Sequence, residues 1–147
     1  MRVIGFFCED IRAETAGTES IVGIFPDNMA VSELPVAIPK FAVQIRIQLG
    51  IDEVASTIKA FVKTPWAEFP IGEASVELIG KAQAASKSFN LPYAGIVLRA
   101  VFVTFPVQEF GQIRATVMVD GVETICAAMN IRPVDAATSS TESQPHF

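Results

Sequence analysis

Glu9 and Asp10, followed two residues later by Arg12, are the densest charged cluster beside an apolar run in this chain. On a strand, neighbouring side chains point to opposite faces, so Glu9 and Asp10 do not aim together at one reacting centre. Asp10 and Arg12 share a side, and could mark a small polar binding site or a solvated ion pair worth little to stability. Asp27, Asp52, Glu53 and Asp120 fall in expected loops. A calcium site needs six or more converging oxygens, and no acidic loop of the helix–loop–helix calcium type occurs. These positions read as turn aspartates and glutamates. His146 is the only histidine, and Cys8 and Cys126 are far apart, so no ligand-spaced metal cluster is visible and none is expected. A Ser–His hydrolase would depend on His146, and no G-x-S-x-G elbow accompanies it. Phosphate-loop and dinucleotide fingerprints are absent, so no cofactor is expected. Both cysteines read as small buried hydrophobes, since Cys8 sits beside carboxylates rather than the basic groups that activate a thiol.

The elements that would position such groups are mostly strands. Residues 41–49 alternate strictly: Phe41, Val43, Ile45, Ile47 and Leu49 on one face, Ala42, Gln44, Arg46 and Gln48 on the other. Period two means one buried and one wet face. Residues 3–12 and 20–25 read as a hairpin around Thr15-Ala16-Gly17-Thr18. The stretch 29–40 carries Pro35 and Pro39 and reads as an irregular connection or an edge segment. Residues 57–63 alternate more loosely. Residues 112–119 and 122–131 pair through Asp120-Gly121, a two-residue turn that needs positive φ. Between 73 and 88 alanines dominate, and Leu78, Ala82, Ala85 and Phe89 recur at helical spacing. This predicts one amphipathic helix ended by Asn90-Leu91-Pro92. Trp66 and Phe69, between prolines, read as an aromatic plug over one end of the core, or as an exposed ligand platform.

Residues 96–107 are the most apolar stretch. Ile96, Leu98, Ala100, Phe102 and Thr104 form one face; Val97, Arg99, Val101, Val103 and Phe105 form the other. A strand apolar on both sides is central, or half of it is an interface. Val97, Val101, Val103 and Phe105 are therefore the expected interface residues.

These elements predict an antiparallel β-sandwich, immunoglobulin-like or Greek-key, of about 7–8 strands with one short helix. It occupies residues 1–132, with a flexible tail over 133–147 that is rich in Ala, Ser and Thr. A chain of 147 residues is the size of one domain and can build a core without disulfides or metal. Half of its residues are apolar, which suits a large core or a surface covered by a partner. With 16 acidic against 11 basic residues, the latter scattered, nucleic acid and anionic membranes are not expected partners. The apolar run 3–8 is too short for a signal peptide core and no stretch approaches a membrane span, so a cytoplasmic location is expected, with reduced cysteines.

The opening Phe7-Cys8-Glu9-Asp10-Ile11-Arg12, the returning Ile21-Val22-Gly23-Ile24-Phe25 and the run from Gly111 to Gly121 resemble a family of small uncharacterised proteins of bacteria and their phages. Its members begin with a Cys-Glu-Asp-Ile-Arg stretch. Tyr93-Ala94-Gly95-Ile96 fits the segment before their long strand, and the resemblance spans residues 5–132. It is specific at the first and last hairpins and loose between Val54 and Asn90. Ile113 stands where an aromatic is more usual. The resemblance implies the same β fold and carries no activity, so it assigns no functional residue.

Three functions compete on these grounds. The first is a non-enzymatic interaction or assembly module that pairs with itself, as a homodimer or higher oligomer, or with a protein partner. The second is a binder of a nucleotide or other small anion, gripped by Arg12, Arg46 or Arg99 with Asp10 nearby. The third is a hydrolase built on carboxylates that meet only in the fold.

Overall fold

The computed structural model describes residues 1–135, which form eleven strands and one helix. A long hairpin, β1 (Arg2–Ala13) and β2 (Glu19–Ile24), is followed by two short strands, β3 (Asn28–Val31) and β4 (Val36–Ile38). Then come β5 (Phe41–Gly50), β6 (Ile58–Lys63) and β7 (Glu68–Ala74), the helix α1 (Val76–Ser88), β8 (Tyr93–Phe102), β9 (Phe105–Val107), β10 (Gly111–Val119) and β11 (Val122–Pro133). They make a sandwich of a four-stranded sheet, ordered β2-β1-β5-β8, and a five-stranded sheet, ordered β3-β11-β10-β6-β7. A third, two-stranded sheet pairs β4 with β9. The strands are more numerous than the sequence suggests because the stretch around Pro35 and Pro39 supplies β3 and β4, residues Glu68–Ala74 form β7, and β9 separates from β8. One of them, β3, runs parallel to β11.

Alternation sets the core. Val43, Ile45 and Ile47 of β5 meet Ile58, Ala60 and Val62 of β6 and Ile113, Ala115 and Val117 of β10, all buried. The layers close tightly at Gly5, where an added Cβ would lie 2.9 Å from Cys126 Sγ and 3.3 Å from Ala127 Cβ. Seven aromatic rings fill one end of the sandwich. Phe41 stacks on Phe105 at 4.3 Å and on Phe7 at 5.3 Å, while Phe69 and Trp66 pack on Phe105 at 5.3 and 6.3 Å. Trp66 and Phe69 thus belong to a plug rather than a ligand platform.

The β10–β11 turn has the expected left-handed residues, Asp120 at φ 49° and Gly121 at φ 86°. The Asp120 carboxylate also accepts the backbone N–H groups of Ser56 (3.0 Å) and Thr57 (2.9 Å), tying the turn to the start of β6. Glu53 accepts the Gly50 N–H (3.0 Å) and pairs with the amino terminus (3.1 Å). Those two contacts lower its pKa, the Gly50 hydrogen bond first. Asp52 pairs loosely with Lys87 at 3.8 Å. These are structural roles.

Two expectations change. The helix starts at Val76, not at residue 73, because Glu73 and Ala74 still pair with Lys59 and Ile58 and Ser75 provides the cap, its Oγ accepting the Leu78 N–H. Its buried residue is Ile79, while Leu78 and Phe89 of the expected face are 47% and 76% exposed. Gln83 sets this rotation by donating to the carbonyls of Gly50 (2.8 Å) and Glu53 (2.7 Å). The apolar stretch 96–107 is also not one strand. It breaks at Val103-Thr104, and β9 leaves to pair with β4. Phe105 is therefore fully buried among the aromatics and is not an interface residue. Nor is β8 central: among the described residues it pairs only with β5 and ends its sheet. Of the expected tail 133–147, the part from residue 136, with His146, lies outside the described residues.

Candidate functional site

The antiparallel register of β5 and β8 sets Gln44 opposite Arg99, Arg46 opposite Val97 and Ala42 opposite Val101. All six have the parity that points away from the sandwich interior. The end of the β1–β2 hairpin folds against this outer surface. Glu19, which pairs with Ala13 there, reaches both Gln44 and Arg99.

The result is a four-residue chain of contacts. Gln44 Nε2 donates to Glu19 Oε2 at 2.6 Å, Arg46 Nε donates to Gln44 Oε1 at 3.1 Å, and the Arg99 guanidinium pairs with the other Glu19 oxygen. Gln44 is wholly buried although it lies on the face expected to be wet. The cluster holds two cations, Arg46 and Arg99, and one carboxylate, so it carries a net positive charge. Beside it lies a cleft of about 320 Å³, walled by Ile11, Ala13, Glu19, Arg99, Ala100 and Val101. A second cleft of about 250 Å³ begins at Val101 and runs past Val103 to Glu9, Asp10 and Lys40.

The four expected ligand residues therefore divide. Arg46 and Arg99 come together through Gln44 and Glu19. Asp10 and Arg12 pair with each other on the hairpin at 3.3 Å, and the second Asp10 oxygen accepts the Ile11 N–H. Glu9 and Asp10 border one cleft despite their opposite parity, with the Glu9 side chain lying across Gly23, which has φ 66°. Sequence reasoning missed Gln44 and Glu19. Spacing offers no signal for a contact between residues 25 apart that depends on how the hairpin bends.

Of the expected interface residues, Val97, Val101 and Val103 are 48%, 56% and 86% exposed. The cysteines are free thiols. Burial raises the pKa of Cys8, helped by the Asp10 charge, and burial pushes Cys126 up to about 11. Neither is activated as a nucleophile. Among the described residues no three His, Cys, Asp or Glu side chains converge on a metal position, and no helix is long and apolar enough to cross a membrane.

The family of unknown function DUF6941 matches residues 3–132 of the chain. No curated protein and no solved structure matches it.

Proposed function

We propose that this chain, which belongs to that family of unknown function, is a non-enzymatic interaction module that assembles with copies of itself. One observation carries the reading: β8 ends its sheet, and its Val97 and Val101, with Val103 just past the end of the strand, are open to solvent. Exposed apolar stripes on a regular edge are where chains associate. The two free thiols suit a reducing, cytoplasmic compartment, and the Cys8-Glu9-Asp10-Ile11-Arg12 opening favours a bacterial or phage setting. Light scattering across the micromolar range tests the assembly. A mass of two or more chains is expected, and a strict monomer throughout would contradict it.

A second reading rests on the Arg46–Gln44–Glu19–Arg99 cluster and its cleft. Among the described residues Arg46 makes its hydrogen bond through Nε, which leaves its terminal N–H groups for a phosphate or carboxylate. A thermal-shift panel of nucleotides and small organic anions tests it. A shift lost in Arg46→Ala is expected, and no shift across the panel would remove the reading. The carboxylate hydrolase has less to stand on, because Asp10 is tied to Arg12 and to its own strand.

A further inference from the structure

We infer that the tip of the β1–β2 hairpin is a hinged arm that closes the anion site, with Glu19 standing in the place of the ligand, and that a small di- or tricarboxylate displaces it. This deepens the second reading above, the anion binder, and rests on it.

The arm is set apart from the sheet by its hydrogen bonds. β1 pairs with β5 from Arg2–Gln48 to Cys8–Ala42; from Asp10 onward, among the described residues, its ladder is with β2 alone. The hairpin ladder skips one pair at the base of the arm, Glu9 with Gly23, where Gly23 has φ 66° and the Glu9 side chain lies across it. Beyond that point the bonds close within the arm. The Glu14 N–H donates to the Thr18 carbonyl (2.8 Å), the Gly17 N–H to the Glu14 carbonyl (3.2 Å), and Ser20 Oγ to the Glu14 carboxylate (2.8 Å). Residues 12–18 are exposed. Among the described residues, the polar contacts of the arm with the sheet beneath it are those of Glu19. A ribbon bonded within itself and latched at one side chain opens as a unit, at a cost well below that of unfolding.

The seat under Glu19 is built for a carboxylate. An arginine only donates, so Arg46 Nε on the Gln44 oxygen turns the amide with its NH2 group toward Glu19. Gln44 is wholly buried, and a donor held there is costly to leave without an acceptor. Arg99 completes the seat, and the cleft of about 320 Å³ opens beside it. Glu19 brings one carboxylate against two cations, and its contacts are with Gln44 and Arg99. A ligand with two or more carboxylates takes the place of Glu19 with one and meets the terminal N–H groups of Arg46 with another. Glu19 competes as a tethered group, at an effective concentration in the millimolar range or above, so its removal strengthens binding of the free ligand.

The test titrates the full chain with citrate, against chloride at equal ionic strength. Dissociation constants are expected to fall about tenfold or more in both Glu19→Ala and Glu19→Gln. Because Glu19→Gln keeps the length of the side chain, a folding defect of Glu19→Ala does not decide the result. Adding Arg46→Ala is expected to abolish the gain, whereas a general effect of one lost negative charge would persist. In the unmodified chain, saturating citrate is expected to speed hydrogen exchange at residues 11–21 and leave residues 3–7 unchanged. Equal affinity in the three chains, or exchange at 11–21 that citrate does not alter, overturns the displaced arm and leaves the anion reading standing. A gain that survives Arg46→Ala overturns the seat described here. If citrate binds none of the chains, the arm and the anion reading fail together.

Discussion

Gln44 has both ends of its amide engaged, and its removal tests the cluster at the scale of a single residue. Gln44→Ala leaves the Glu19 carboxylate and Arg46 Nε short of a partner, and a loss of about 1–3 kcal/mol is expected by chemical denaturation. The cysteines give a pH dependence of definite sign. Cys126 is raised from an ordinary 9.0 to about 11, and Cys8 is raised as well. The folded state therefore holds protons that the unfolded chain releases first. The contribution is fully present below pH 9 and is lost as pH rises from 9 through 11. Denaturation midpoints are expected to fall across that window, and to fall less in Cys8→Ala/Cys126→Ala. That Arg46 and Arg99 share the face opposite the core was legible in the strand alternation. That Gln44 on the same face is dry was not legible, since the covering Glu19 arrives by a bend in the hairpin rather than by strand parity.

At the scale of elements, the sandwich depends on β1 and β11 lying close at Gly5. Gly5→Ala places a methyl group within 2.9 Å of Cys126 Sγ and 3.2 Å of the Cys126 carbonyl oxygen. A loss of about 1–3 kcal/mol is expected from overpacking. Adding Cys126→Ala is expected to return part of it, because the sulfur but not the carbonyl is removed. A double-mutant cycle measures that coupling. Strands with a clean period were legible: the alternation at 41–49 became β5, and Asp120-Gly121 became the hairpin turn. The helix was legible in existence but not in rotation. Leu78 and Phe89 made the more regular apolar stripe, yet Ile79 and the Gln83 hydrogen bonds decide which side faces the sheet. The break at Val103-Thr104 was equally hidden, because the pairing of β9 with β4 is a long-range event that leaves Phe105 on a core no local pattern announces.

For the whole molecule the central proposal is self-association through the sheet edge formed by β8. The apolar character of residues 96–107 was legible in the sequence; that β8 stands at the end of its sheet was not, because strand order is set by long-range pairing. Hydrogen–deuterium exchange of the full chain, compared at low and high concentration, addresses this most directly. Outward-pointing amides of an unpaired edge exchange readily and become protected when they join a ladder. Amides within 97–103 are expected to gain protection as concentration rises, while those of β2 and β7 stay unchanged. Association that leaves 97–103 as unprotected as in the monomer would contradict the account.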